Sequence, residues 1–376
     1  MSATGLFKKF KLSKYTMNYN FETQAGLISL NVLNTKKPVE ELLTFACRQN
    51  PKRSFMLVSK VLGRYIPTKP NVMREIYDSL SESLGEEQLT YVVSLAEAAT
   101  GLGAGVADSL ARGQQEKVYF QHTTRHKLNR PLWFSLDEAH SHAVDHMFYA
   151  PKNELLEGIT QSKRLVIVDD EITTGRTIKL LITKLLKYLM NIEEIVVISL
   201  VNLIDKKQSL SRKDFNIPIR YVSLMEAQIS ITKKDNFKPE LPENVDTELC
   251  EALSSDDLGR CAMLMPYSGH FPSITSSTEM TIIANGEHQY IPFLIAEKHE
   301  QAGCDVLYQS INRSPLLLGE SIEKKLSFSF DGRNVEHYLY NFEESNRDVY
   351  VLLENESARD SHEFASKYPL TKCEVS

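Results

Sequence analysis

The sequence predicts an α/β protein: an open, mostly parallel sheet followed by a second, smaller α/β domain. Three observations carry this expectation. Strand-like and helix-like stretches alternate from about residue 50 to about residue 230, the pattern of a sheet with helices on its faces. Within that span RLVIVDDEITTGRT leads into TIKLLITKLLKYLM and then EIVVISLVNLI, a strand, helix, strand unit whose crossover should be right-handed and its strands parallel. A stretch rich in Lys, Asp, Glu and Pro, residues 231–260, then precedes a further strand, glycine turn, helix and strand.

Taken in order, residues 1–37 are expected to form an N-terminal arm, because the start is polar and basic without a clear period. VEELLTFACRQ has helical spacing, SFMLVSKVL reads as a strand, GRYIPTKP as a turn and NVMREIYDSLSESLG as a second helix. YVVSLAEAATGLGAG passes from strand through a small-residue loop into a helix that VADSLARG continues to Gly113. VYFQHTTRH is the next strand, a His-rich segment follows, and IRYVSLMEAQISI adds a strand after the strand, helix, strand unit. The first domain is thus placed at 38–235, a linker at 236–260 and the second domain at 261–376. In the latter, MTIIANGEHQYIPFLIAEKHEQAGCDVLYQSINRSP lines up without gaps beneath SLAEAATGLGAGVADSLARGQQEKVYFQHTTRH. Val118 coincides with Val306, Gln121 with Gln309 and Arg125 with Arg313, so the second domain reads as a degenerate repeat of the first. RDVYVLLENE echoes RLVIVDDEI and sets Leu352 and Leu353 where the first copy has Asp169 and Asp170. The second copy would then be a partner surface without that chemistry.

The bulk numbers exclude several classes. A chain of 376 residues can bury two cores without disulfides or a structural metal, and 42% hydrophobic with 24% charged residues argues against disorder. A net charge of −6 gives no general attraction to nucleic acid or anionic membrane, so any phosphate site must be built locally. The five cysteines, Cys47, Cys250, Cys261, Cys304 and Cys373, are scattered and never in CxxC spacing, as reduced cytosolic thiols are. No apolar run reaches the roughly 18 residues of a membrane span, and MSATGLFKKFKLSKY lacks the apolar core of a secretory signal. A cytoplasmic location is expected.

Chemistry concentrates at residues 164–177. Four aliphatics end in three carboxylates, and Thr-Thr-Gly then opens a helix. A helix N-terminus offers unpaired N–H groups and partial positive charge, so TTGRT suits a phosphate. Carboxylates there would repel it unless they accept hydrogen bonds from sugar hydroxyls and help hold a divalent metal. A sugar phosphate satisfies both; a solvated acidic turn capped by Thr is the plain alternative.

This stretch resembles the thirteen-residue signature of the type I phosphoribosyltransferases, which implies that fold and phosphoribosyl pyrophosphate (PRPP) as ligand. Asp169 and Asp170 would hold the ribose hydroxyls and the metal, magnesium, while Thr173, Thr174, Gly175, Arg176 and Thr177 would grip the 5′-phosphate. The purine-salvage branch carries an Asp where this chain has Thr173, which argues against a purine acceptor. NPKRSFMLVSKVLGRYIP, AEAATGLG, HTTRH, EAHSHAVDH and VDDEITTG further resemble a subfamily of tellurite-resistance and stress operons. Its chains add a C-terminal domain named for Thr-Arg-Ser-Pro, here INRSP, and Ala98 replaces an expected Thr. The resemblance implies phosphoribosyl transfer between PRPP and a nucleobase-like acceptor, in either direction, in the synthesis of a nucleoside-like metabolite. Partners would come from the same operon or a second copy of the chain.

By position, Ala99, Thr100, Gly101, Leu102 and Gly103 would form the pyrophosphate loop, although a bare glycine-rich turn is as often packing. Lys60 and Arg64 would add charge there or serve solubility. The His-rich segment reads as a mobile hood bringing Arg125 and His140 or His142 to the reacting centre, with a zinc site on His142 and His146 as the weaker alternative. Arg313, Ser314, Glu287 and Tyr290 are candidates in the second domain, beside an ordinary turn held by Pro315. Against the enzyme stands a PRPP-binding regulator without turnover; it needs a nucleic-acid surface, and no basic domain or recognition helix is visible.

Overall fold

The computed structural model describes residues 17–50, 54–136, 146–205, 208–239, 258–275, 277–329, 336–344, 347–355 and 359–368. The chain opens on an antiparallel hairpin, β1 (Met17–Thr23) and β2 (Gly26–Thr35). Ile28, Leu30 and Val32 are buried and alternate with Ser29 and Asn31, the two-residue period of a half-buried strand. Residues 17–35 are therefore sheet where the sequence predicts an arm. One helical turn, α1 (Val39–Leu42), gives way to β3 (Leu43–Cys47), antiparallel to β4 (Phe55–Ser59). The helix expected over VEELLTFACRQ stops after a turn because LTFAC finds a strand partner in FMLVS, and cross-strand packing overrides the local period.

After α2 (Pro70–Ser81), which starts on proline as helices favour, come β5 (Thr90–Ser94), α3 (Thr100–Gly113) and β6 (Val118–His122). A hairpin follows, β7 (Leu132–Leu136) with β8 (His146–Tyr149), and then α4 (Asn153–Thr160). The predicted central unit is β9 (Arg164–Ile172), α5 (Arg176–Leu185) and β10 (Glu194–Asn202), after which the single turn α6 (Arg212–Phe215) precedes β11 (Ile219–Lys233). A short β12 (Met263–Met265) precedes β13 (Glu279–Ala284), α7 (Tyr290–Gln301), β14 (Asp305–Ser310), β15 (Lys325–Ser329), β16 (Glu336–Tyr340) and β17 (Asp348–Leu352).

Eight strands form one sheet in the order β1-β2-β11-β10-β9-β5-β6-β12. The five from β11 to β6 are parallel, and antiparallel strands close both edges. Met263–Met265, which the sequence assigns to the second domain, thus belong to the first sheet. In β9, Val166 and Val168 face one core while Leu165 and Ile167 face the other, so the strand is sealed on both sides as parallel strands require. From β5 the chain moves through α3 to β6 on one side, and from β9 through α5 to β10 on the other. The crevice between the ends of β5 and β9 is therefore the topological switch point, where open α/β sheets hold ligands.

The smaller parallel sheet runs β14-β13-β17 and mirrors β6-β5-β9. The correspondence is close in hydrogen bonding. Thr123 N–H donates to Ser94 O and Ile311 N–H to Ala284 O. Thr124 bridges Met147 and Asn312 bridges Tyr338, both antiparallel. The Gln121 amide donates to Tyr149 O, and the Gln309 amide to Tyr340 O. The strand pair β15 and β16 is thus the counterpart of β7 and β8. The ungapped alignment holds at β14 but not at β13, whose helix is 12 residues long against 14 for α3. Since Ser94 pairs with Val168 as Ala284 pairs with Leu352, the residues in the places of Asp169 and Asp170 are Leu353 and Glu354, one step beyond the pair expected from sequence.

The two repeats share a core. Tyr77 of α2 packs edge-on against Phe293 of α7, at 5.1 Å between ring centroids. Gly105 of α3 lies under the Tyr77 ring with no room for a Cβ. Gly105→Ala should therefore destabilise the protein by about 1 kcal/mol or more in urea unfolding, since overpacking costs about 1–3 kcal/mol and better helix propensity returns about 1 kcal/mol. Gly113→Ala, which meets open space, should be neutral or stabilising; equal effects at both positions would contradict this packing.

Candidate active site

The sealed part of β9 ends at Val168, and Asp169, Asp170 and Glu171 emerge partly buried at its tip. The Asp170 N–H donates to Asp169 Oδ1 at 3.0 Å. Burial, and then the negative charge of Asp170, push the Asp169 carboxyl well above the ordinary carboxylate range. A group that donates hydrogen bonds, or a cation, would relieve that crowding. Leu203 N–H donates to Ile172 O and fixes the strand end.

Thr173, Thr174 and Arg176 are exposed beyond it, and Gly175 takes the left-handed conformation, φ +68°, as the residue before α5. The first turn of α5, with Thr177, thus begins four residues beyond Ile172, the end of the strand that carries the carboxylates, and its N–H groups have no partner within the helix. The signature residues thus come together at the switch point.

The glycine-rich stretch is only partly available. Ala99 N–H donates to Leu95 O, Gly103 N–H to Ala99 O, and Gly101 N–H to the Gln289 side chain of the second repeat at 3.1 Å. Leu102 packs in the core, and Thr100 is buried with its hydroxyl unpartnered. Leu102 and Gly103 lie buried in the first turn of α3, and the accessible part of the turn is Glu97 and Ala98. Gln289 reaches in because its amide is held by Gly286 O and Glu97 O.

Of the two cations proposed for this loop, Lys60 turns away to Glu40 O at 2.9 Å. Arg64 is buried over the Tyr65 ring, with Nε and Nη1 unpartnered and the charges of Glu97 and Asp170 within electrostatic reach. Arg125 gives its backbone N–H to Glu287 at 2.9 Å, and its guanidinium lies 3.4 Å from His146 Nε2. His140 and His142 lie outside the described residues. His146 is in strand β8, not on a helix. Among the described residues no cluster of three metal-ligating side chains occurs.

Sequence reasoning misses Arg260. It is buried where a linker is expected, between Glu287 at 2.8 Å and Glu354 at 2.7 Å, and it also donates to Thr124 Oγ1. Glu354 occupies the place of Asp170, so the second repeat fills its own site with an arginine.

Residues 42–228 match the family described as phosphoribosyl transferase, so the chain carries a phosphoribosyltransferase domain. More particularly, residues 263–367 match the TRSP domain found C-terminal to that kind of phosphoribosyltransferase domain, and the chain joins the two. No curated protein matches. Solved structures similar to the chain include the adenine phosphoribosyltransferase of Thermoanaerobacter pseudethanolicus. It has 17% identity and a TM-score of 0.34, covering 49% of this chain and 96% of that one. The adenine phosphoribosyltransferase of Rhodothermus marinus has 20% identity and a TM-score of 0.33, covering 49% and 95%. The orotate phosphoribosyltransferase of Francisella tularensis has 17% identity and a TM-score of 0.24, covering 41% and 65%.

Two histidines around this region are held neutral. His146 and His288 are each lowered to about 4, first by burial and then, for His146, by Arg125; Arg260 also lowers His288, while Glu354 opposes it. Their folded values lie below 6.5, so the unfolded chain binds the proton first as pH falls. The stability is complete above pH 6.5 and is lost down through about pH 4, by about 3 kcal/mol for each histidine. Urea unfolding at pH 7.5 and pH 4.5 should show that loss, and His288→Gln should remove its share; an unchanged pH dependence in that variant would refute the assignment.

Proposed function

We propose that the protein transfers the phosphoribosyl group between PRPP and a nucleobase-like acceptor, with the site at the tip of β9. The observation that carries this reading is the carboxylate pair Asp169 and Asp170 directly followed by an open helix mouth at the sheet's switch point. Asp169 and Asp170 accept hydrogen bonds from the ribose hydroxyls, and the turn from Thr173 to Thr177 receives the 5′-phosphate. In the forward direction the bond from C1 to the pyrophosphate oxygen breaks with its electron pair leaving on pyrophosphate, and an acceptor nitrogen forms the new bond to C1. Positive charge develops on the sugar, so the protein's work is orientation, neutralisation of the leaving group and exclusion of water.

The donor set fits a hard cation. Asp169 and Asp170 offer only oxygen and repel each other without one, as magnesium sites do. Magnesium held beside these carboxylates would supply charge neutralisation to the pyrophosphate oxygens. Arg125, with His140 or His142, would meet the leaving group or the acceptor. Thr173 in place of the purine branch's acid favours a non-purine acceptor. A cytoplasmic location and a role in stress or tellurite resistance, through a nucleoside-like metabolite, belong to the same proposal.

Replacing both Asp169 and Asp170 by Asn keeps the shape and removes the charge. PRPP affinity, read by calorimetry with magnesium, should fall about tenfold or more, and pyrophosphate release with a panel of bases should fall about a hundredfold. Unchanged PRPP affinity would reject the site. Binding without turnover on any base would instead favour a PRPP-responsive regulator.

A further inference from the structure

The repeat has a consequence for the first site. Glu97 follows Ser94 by three residues and Glu287 follows Ala284 by three, while Arg125 and Arg313 each stand two residues past the matched Thr123 and Ile311. These two pairs meet crosswise. Glu287 of the second repeat binds Arg125 N–H and Thr124 Oγ1 of the first, and Arg313 of the second approaches Glu97 of the first, Nε to Oε2 at 3.6 Å. The repeats therefore face each other about a local pseudo-twofold, as two copies of one fold would in a symmetric dimer.

At one end of this axis the polar groups are satisfied, because Arg260 joins Glu287 and Glu354. At the other end they are not. Arg64 keeps Nε and Nη1 buried and unpartnered, and Glu97 keeps Oε1 likewise. Burying such groups without partners costs free energy, and the buried Arg64 guanidinium is pre-set for an acceptor. Its position is set by the second repeat: the Asn312 amide donates to Arg64 O at 2.6 Å, and Ser310 N–H donates to Gly63 O at 2.7 Å. Arg313 directly follows Asn312, so one segment of the second repeat both seats Arg64 and supplies a second guanidinium.

Resting on the proposed reaction, we propose that Arg64 and Arg313, one from each domain, form an anion clamp over the Glu97–Ala98 turn that receives the pyrophosphate group. Two guanidinium forks offer several N–H donors to adjacent phosphate oxygens and offset the negative charge of Glu97, which one cation alone would not do. The C-terminal domain is on this account a built-in partner subunit: it has given up its own ligand site, which Arg260 fills, and contributes a binding residue to the other.

The test compares three probes on the full chain with magnesium: PRPP, inorganic pyrophosphate, and ribose 5-phosphate, which lacks the pyrophosphate group. Arg313→Ala should weaken PRPP and pyrophosphate binding about tenfold or more while ribose 5-phosphate stays within about twofold, and Arg313→Lys should recover part of the loss. Arg313 is part-exposed, 31% for its side chain; should the Ala variant lose its fold, Arg313→Gln carries the same comparison. Equal weakening of all three probes, or none, overturns the clamp. Binding of PRPP that depends on Asp169 and Asp170 but ignores Arg313 would overturn it alone and leave the proposed reaction standing, whereas a wild-type protein that binds none of the probes overturns both.

Discussion

The arrangement of the molecule depends on a buried guanidinium. Arg260 sits almost fully out of solvent with one carboxylate on either side, Glu287 at the end of a strand-to-helix turn and Glu354 at the end of a parallel strand. Both carboxylates are held below the ordinary range against the burial that would raise them, Glu287 by His126 and then Arg260, and Glu354 by Arg260 and then His288. Three charges withdrawn from water are poor as a source of net stability, since well-packed apolar groups of the same size often serve as well. What they impose is geometry. Glu287 also takes hydrogen bonds from Thr124 and from the Arg125 backbone, so the pairing is satisfied only when the second repeat stands in one orientation over the first. That orientation brings Gln289 to Gly101 and Arg313 to Glu97.

The two repeats show what one architecture does with a carboxylate at the end of its central strand. In the second, Leu353 stands in the place of the first acid and Glu354 is paired with Arg260 of the same chain. In the first, Asp169 and Asp170 remain side by side, and burial with their mutual repulsion pushes the Asp169 carboxyl up. The same strand order, the same crossover helix and the same glutamine anchoring of the following hairpin support both outcomes. The two strand ends thus differ in whether the chain pairs its own carboxylate with a cation. The fold permits either.

Much of this was readable from residues that lie near one another in sequence. The strand, carboxylate and helix junction at 164–177 is local, so period and turn chemistry suffice to place it. The strand at 26–35 is also legible in the alternation of Ile28, Leu30 and Val32 with polar neighbours, although the basic stretch before it points to an arm. The end of the helix at Leu42 is not legible in the local period, because LTFAC turns to strand only by pairing with the following strand, FMLVS. The capping of Gly101 by Gln289 and the pairing of Arg260 with Glu354 join residues far apart in the chain, and no spacing rule reaches them. Even the repeat, visible by alignment, is set one residue off at Leu352, because matching Arg347 to Arg164 ignores the pairing with β13, which sets Asp348 in the place of Arg164.

A binding residue supplied by a separate subunit is present only while the subunits stay associated, so dilution removes it. When both halves belong to one chain, the second encounter is intramolecular and its effective concentration is set by the connection between them. Here Gly259 and Arg260, which lead into β12 of the first sheet, lie at the charge cluster that orients the two repeats, and Gly259 O itself accepts the His122 N–H at the end of β6. The residues entering β12 are therefore part of the interface between the repeats. The clamp residue Arg313 is then positioned by covalent continuity and a buried ion cluster together, and its place over the Glu97 turn is independent of protein concentration.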